Sequence, residues 1–312
     1  MLVLRSIRQR FHIVNLALIV ALALSLSVVF NFTHAKDTIP SQSLEISPPS
    51  QEANADPGAT ITIKAKVRNS GGQPTNIKVR LEDFTASGAE GQVALINNGD
   101  QSLSSYTKLS RDNFSLQPGE SQEITATIKL PKNTAGGKYG AFVFSSLGGA
   151  TDPGSAAVSQ EVASLFLIKV SGDVVEDLQL GGFFVPSFLE FGPVPFLLQF
   201  NNMGNVHLKP YGLVNVRDVF GNSVKDIVVK GETNVFPKAS RQMHITLDNK
   251  FLCGPYTAHA LINYGSKNQT LSLTTRFFVF PIRIALIALL LVFVIYRGRK
   301  RIAKAIKALG GK

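Results

Sequence analysis

The sequence predicts an all-β protein: two tandem immunoglobulin-like antiparallel β-sandwiches, flanked by an N-terminal signal or anchor helix and a C-terminal transmembrane helix. Three observations carry that expectation. Short stretches between residues 59 and 170, and again between 235 and 263, alternate apolar with polar residues at period two, as strands with one buried face do. Clusters of Gly, Pro and Asn separate them and no helical period intervenes, so the crossover helices of a parallel sheet are missing and sheets packed face to face remain. Two long apolar runs, each beside basic residues, occupy the ends of the chain.

The first of these runs, residues 13–30, follows a basic opening with Arg5, Arg8 and Arg10, and residues 1–35 read as a signal peptide or signal anchor. Thr33 and Ala35 stand at the minus-three and minus-one places of a small-residue cleavage site, and cleavage after Ala35 is the preferred reading. The apolar run is long enough to fit an uncleaved anchor as well. Both versions export residues 36–276.

Residues 42–172 read as the first sandwich. In "ATITIKAKVRN" (59–69), Ile61, Ile63, Ala65 and Val67 share one face and Thr60, Thr62, Lys64, Lys66 and Arg68 the other. "NIKVRLEDF" (76–84), "EITATIKLP" (123–131) and "QEVASLFLIKV" (160–170) read as further strands. Turn residues punctuate them in "NSGGQPT", "QPGES" and "KNTAGGK", where Gly, Pro and Asn supply the backbone angles that turns need. Two connections, 85–102 and 148–159, are long for hairpins and are candidate binding loops.

Residues 173–185 read as a packed linker. The stretch 174–196 is rich in Phe and Pro, and Phe183, Phe184, Phe188, Phe191 and Phe196 either bury one sandwich against the next or line a groove for a partner. Residues 186–280 read as a second sandwich and a distant copy of the first. "VRNSGG" (67–72) aligns with "FNNMGN" (200–205), "LQPGESQEITATIKL" (116–130) with "VFPKASRQMHITLDN" (235–249), and "GGKYGAFVFSS" (136–146) with "CGPYTAHALIN" (253–263), in the same order.

Residues 277–296 read as the transmembrane helix, since a bilayer core of roughly 30 Å takes about 20 helical residues. Arg283 snorkels at one end and Tyr296 anchors the other. Arg297, Arg299, Lys300 and Arg301 open a basic tail, 297–312, which the positive-inside rule places in the cytoplasm. The expected location is therefore the plasma membrane, single-pass after signal cleavage, with the sandwiches outside. The tail reads either as a short amphipathic helix on anionic lipid or as a solvated helix end.

The formal charge of +11 does not mark a nucleic-acid binder. Residues 36–276 carry 21 Lys plus Arg against 21 acids, and the excess sits beside the two apolar runs, whereas a nucleic-acid domain concentrates its basic residues on the docking surface. Cys253, the single cysteine, excludes a disulfide scaffold and reads as a small buried hydrophobe. The five histidines, His12, His34, His207, His244 and His259, include no pair at metal-ligand spacing. The adjacent acids Glu82 with Asp83 and Glu176 with Asp177 point to opposite faces of a strand. No catalytic residue, metal site or cofactor is expected.

The signal segment, the landmarks of "LEISPPSQEANADPGATITIKAKVRNSGG", the later "GKYGAFVFSS", a second sandwich, one membrane helix and a basic tail together resemble the WxL-interacting protein family of bacterial cell surfaces. The resemblance implies a membrane-anchored exterior protein whose first domain contacts peptidoglycan and whose second contacts other proteins. The function expected is a noncatalytic surface protein that presents its sandwiches to cell-wall or envelope partners. The alternative is an accessory subunit of an envelope complex, acting through its membrane helix and basic tail. The expected partners are the lipid bilayer, and peptidoglycan or an envelope protein.

Overall fold

The computed structural model describes residues 43–96, 103–147 and 160–309, with side chains as far as Arg299. Among the described residues eighteen strands form two pairs of sheets. In the first sandwich β1 (Leu44–Ser47), β3 (Thr60–Asn69), β8 (Ser121–Lys129) and β6 (Thr107–Leu109) make one sheet in that order. The facing sheet runs β2 (Ser50–Ala55), β10 (Glu161–Val170), β9 (Gly136–Leu147), β4 (Thr75–Ser87) and β5 (Gln92–Ile96), with β7 (Asn113–Leu116) on the other half of the β4 edge.

The first strand is shared between the sheets. β1 pairs antiparallel with β3, and after Pro48 and Pro49 the chain continues as β2, parallel to β10. Proline has no N–H to give to a ladder, so two in succession let the chain leave one sheet and join the other. The alternation seen in the sequence faces inward as expected: Ile63, Ala65 and Val67 of β3 and Ile124, Ala126 and Ile128 of β8 pack on Ile77, Val79, Phe142, Phe144, Phe166 and Ile168. Burial of these side chains is the main favourable term of the fold.

The second sandwich repeats the plan. β11 (Leu178–Phe184), β13 (Val194–Asn202) and β16 (Ser240–Leu247) make the smaller sheet. β12 (Phe188–Leu189), β18 (Gln269–Val279), β17 (Gly254–Tyr264), β14 (Tyr211–Arg217) and β15 (Ser223–Val229) make the larger. Here too the first strand divides, β11 antiparallel to β13 and β12 parallel to β18, with Pro186 between. Phe183, Phe196, Phe200, Tyr256 and Phe277 fill the core.

Three expectations are corrected. Residues 178–184 are not linker but strand β11, because their alternation matches the β13 edge, so the strands of the second sandwich begin before residue 186. The helix α1 (Ile282–Leu309) starts after Pro281 rather than at residue 277. Phe277 and Val279 are held in the sandwich core by pairing of β18 with β17. That leaves thirteen apolar residues between Arg283 and Arg297, about 20 Å of helix at 1.5 Å per residue. Among the described residues no helix is long and apolar enough to cross a membrane. Cys253 is exposed rather than buried, its backbone N–H donating to Tyr256 Oη at 3.0 Å.

Candidate binding surfaces

The two sandwiches of the described unit meet along a built seam. The outer face of the larger sheet of the first sandwich carries Phe84, Ala141, Val143 and Leu167, all buried, at positions where an exposed sheet is polar. Phe236, from the turn before β16, covers them, its ring edge-on to Phe84 at 5.5 Å and to Tyr139 at 5.1 Å between centroids. Tyr139 Oη lies 3.3 Å from His207 Nδ1. Burial raises the Tyr139 phenol above its ordinary value and lowers the His207 imidazole below its own, against the opposing pull of Glu52.

Around this apolar patch the charges are paired. Glu52 accepts from Lys209 Nζ at 2.7 Å and Asn234 Nδ2 at 3.1 Å. Burial pushes its carboxyl up, but these hydrogen bonds outweigh it and hold the group below the usual carboxylate range. Glu176, likewise pushed up by burial and pulled further down by its partners, pairs with Lys169 and accepts from Ser266 N at 2.6 Å and Ser266 Oγ at 2.7 Å.

Asn205 ties three segments together. Its amide donates to Asp173 O at 2.8 Å, its side-chain oxygen accepts from Val175 N at 2.8 Å, and its backbone oxygen accepts from Gly137 N at 2.8 Å. Gly136 beside it adopts φ +83, and a Cβ there would fall 2.9 Å from Asn205 O, so glycine is needed for the approach.

The tip of the β4–β5 hairpin makes the last part of the seam. Ala89 O accepts from Gln242 N of β16 at 2.6 Å. The Arg241 guanidinium lies against Gly91, where a Cβ would fall 0.9 Å from Nη1. Burial lowers the Arg241 pKa against the pull of Glu90. Arg241 Nε and Asn234 Oδ1 are buried without a hydrogen-bond partner among the described residues, and such groups call for an explanation.

Beyond this contact β16 is an open edge among the described residues. In the first sandwich the equivalent strand β8 is covered by β6, whereas β16 pairs among the described residues on one side alone, with β13. His244 and Thr246 share the outward phase of Gln242, and among the described residues their outward N–H groups have no partner. A groove of about 450 Å³ lined by Glu90, Thr233, Arg241, Gln242, Met243 and His244 runs beside this edge. Unpaired edges of this kind accept an added strand.

The residues singled out in the sequence fall elsewhere. Arg283, on the first turn of α1, lies with Nε 3.3 Å from Glu190 Oε2. Tyr296, Arg297 and Arg299 are exposed, with Arg299 Cζ 4.5 Å above the Tyr296 ring. Lys300 and Arg301 continue the helix. Every large apolar side chain of residues 284–296 is exposed. Thr33 and Ala35, and the loop 148–159, lie outside the described residues. Most of the other predicted loop is a hairpin, since β4 runs to Ser87 and β5 starts at Gln92, while residues 97–102 are not described. Of the linker phenylalanines, Phe183 and Phe196 are buried in the second sandwich core while Phe184, Phe188 and Phe191 are exposed. The ring contacts of these five stay, among the described residues, within the second sandwich. Among the described residues no group of three or more His, Cys, Asp or Glu is placed to hold a metal.

The sequence reading missed the seam. Its available signal was the run Leu165, Phe166, Leu167, Ile168, apolar on both phases of β10, which marks a strand covered on both faces. Phe236 and His207 carry no such signal, because both lie in turns.

The fold and its surfaces define a two-sandwich immunoglobulin-like protein. No family model matches the chain, and no curated protein matches it. Solved structures similar to it include the class 5 fimbriae chaperone CfaA (TM-score 0.40, 13% identity, 75% of this chain and 99% of that one). The E. coli chaperone DraB matches with TM-score 0.35 and 11% identity over 76% of this chain and 97% of that one. The periplasmic chaperone SfaE matches with TM-score 0.33 and 12% identity over 76% of this chain and all of that one, 100%.

Proposed function

We propose that this chain is a noncatalytic, membrane-anchored envelope protein that holds its seamed sandwiches outside the lipid and captures an extended segment of another envelope protein along β16. The observation that carries the reading is α1. A helix apolar on every face, and exposed on every face between residues 284 and 296, follows two residues after the last strand of a folded sandwich. Helices that are hydrophobic all round belong in a core or in lipid, and Arg297, Arg299, Lys300 and Arg301 suit anionic headgroups beside it. A signal segment in residues 1–35 delivers the sandwiches to the exterior. The open β16 edge supplies main-chain hydrogen bonds, and Glu90, Thr233 and His244 line the adjoining groove. The perturbed carboxylates Glu52 and Glu176 are engaged by ammonium groups in the seam, which favours binding over acid–base chemistry. The resemblance to the WxL-interacting proteins adds peptidoglycan as the ligand proposed for the first sandwich.

The test is a pull-down with the full chain in detergent, offering insoluble peptidoglycan in one arm and a crosslinked extract of envelope proteins in the other. Reproducible capture of one protein, lost in Thr246→Pro with the unfolding midpoint unchanged, is the expected result. The substitution removes an outward N–H and no bond of the β13–β16 ladder. Capture that survives Thr246→Pro discards the β16 edge. Saturable retention on peptidoglycan with no protein captured replaces the protein partner by the wall.

A further inference from the structure

Resting on the lipid attachment proposed above, we infer that the end of the second sandwich from which α1 leaves is itself a lipid-facing surface, with phenylalanines at its turn tips seated in the interfacial layer of the bilayer. The strand register collects these turns. β18 leaves at Val279, opposite Gly254 and Leu189. The turn after β12 carries Phe191 and touches the turn after β16, Gly192 N donating to Lys250 O at 3.2 Å. That second turn carries Phe251, 88% exposed. The β14–β15 turn follows Arg217, which stands opposite Thr257 near the same end, and carries Phe220, 85% exposed. The chain exit adds Phe278 and Phe280, stacked at 6.2 Å and partly exposed.

Three turns and the exit of one sandwich end thus present aromatic side chains to solvent. Asp218 fixes one of them, its carboxylate accepting from Phe220 N and Asn222 N, both at 2.9 Å, so the ring is carried outward on a closed turn. The occupant that fits is a lipid surface rather than a protein. Among the described residues no ring contact joins Phe191, Phe220 or Phe251 to another aromatic, so the tips stand singly on separate turns. A fluid interface accepts such tips without a fixed complement, and Phe is among the side chains that interfacial surfaces bury at the headgroup and acyl boundary. Arg217 and Lys250 belong to the segments that carry Phe220 and Phe251 and suit anionic headgroups; of the acids near these tips Asp218 is tied into its turn, Glu190 pairs with Arg283, and Asp248 is exposed.

Length gives an independent reason. The apolar run of α1 covers about 20 Å against a core of roughly 30 Å, so a helix rooted in this end draws the sandwich down to the interface, where a polar surface would resist. The phenylalanine tips are what such a surface needs.

The chain contains no tryptophan, so single-tryptophan variants of the full chain report their own depth. Phe220→Trp, Phe251→Trp, Phe293→Trp and Lys267→Trp would be reconstituted in vesicles of phosphatidylethanolamine and phosphatidylglycerol, with brominated acyl chains as quencher. Phe293 reports the helix, and Lys267 the turn at the opposite end of the sandwich. Blue-shifted emission that loses intensity to the brominated lipid at 220, 251 and 293, but not at 267, is the expected result. Quenching at 293 with 220 and 251 as unaffected as 267 overturns the inference and leaves the helix reading standing. Quenching at 220 and 251 without 293 sustains the lipid-facing end and discards the embedded helix. Silence at all four overturns both.

Discussion

Asn69 and Asn202 close the same circuit in the two sandwiches. Asn69 Nδ2 donates to Gln73 O at 2.8 Å and Leu116 O at 3.1 Å while its Oδ1 accepts from Gly71 N at 3.0 Å. Asn202 Nδ2 donates to Val206 O and Val235 O, both at 2.8 Å, and Oδ1 accepts from Gly204 N at 2.9 Å. Both side chains are buried, so removing either strands three backbone groups. Asn69→Ala and Asn202→Ala should each cost about 2–4 kcal/mol, read as a lowered denaturant midpoint. This pair was legible as an Asn followed two residues later by Gly in each half of the sequence, because a side chain that caps its own turn leaves a local pattern. His207 left none, since its partners come from β2 and β9. The fold holds this imidazole neutral, with a folded pKa below the ordinary 6.5, so the unfolded chain takes up the proton first. Its contribution is full above pH 6.5 and is lost as pH falls through the folded value. Glu52, held below 4.5, loses its contribution only as pH falls beneath that. The unfolding midpoint should therefore decline as pH falls below 6.5, and His207→Gln should remove the part of that decline lying above the carboxylate range, as thermal unfolding against pH would show.

At the scale of elements, the strands were readable and their covering was not. Alternation in β3, β4 and β8 records which face meets the sandwich core, and that face is the one found. The outer face of β4, β9 and β10 is covered by Phe236, a residue 97 positions or more beyond Phe84 and Tyr139 in the chain, and periodicity within a strand carries no information about so distant a partner. The phenylalanines of residues 183–196 divide: Phe196 packs on Phe183 at 5.6 Å and Phe277 at 5.5 Å between ring centroids inside the second sandwich, while Phe184, Phe188 and Phe191 are exposed. If Phe236 is the main apolar coupling across the seam, Phe236→Ala should remove roughly 3 kcal/mol of it. Calorimetry should then resolve one unfolding transition into two. A single transition shifted downward as a whole would instead place the coupling in the polar contacts of Asn205, Glu52 and Glu176.

At the scale of the molecule, the apolar run near the C-terminus has two physical fates. In one, lipid surrounds it. In the other, it packs against protein and contributes to the stability of the fold. Neither sandwich core includes a side chain of α1, and the helix meets the sandwich through Phe280, Pro281 and the ion pair of Arg283 with Glu190. The sequence could not separate the fates, because hydropathy runs on through Phe277 and Val279 and does not show that strand pairing has claimed them. The ten Leu, Ile, Val and Phe residues between 284 and 296 favour insertion by roughly 3–6 kcal/mol, and an arginine at the centre of such a run opposes it by about 3 kcal/mol. Leu290, midway along the run, is the position where that opposition is greatest. Leu290→Arg should move the full chain out of the detergent-extracted membrane fraction and leave the thermal midpoint of the sandwiches unchanged, because their cores do not touch residue 290. A fall in that midpoint, with fractionation unaltered, would mean that the run packs on protein, and lipid attachment would then be lost from the proposal.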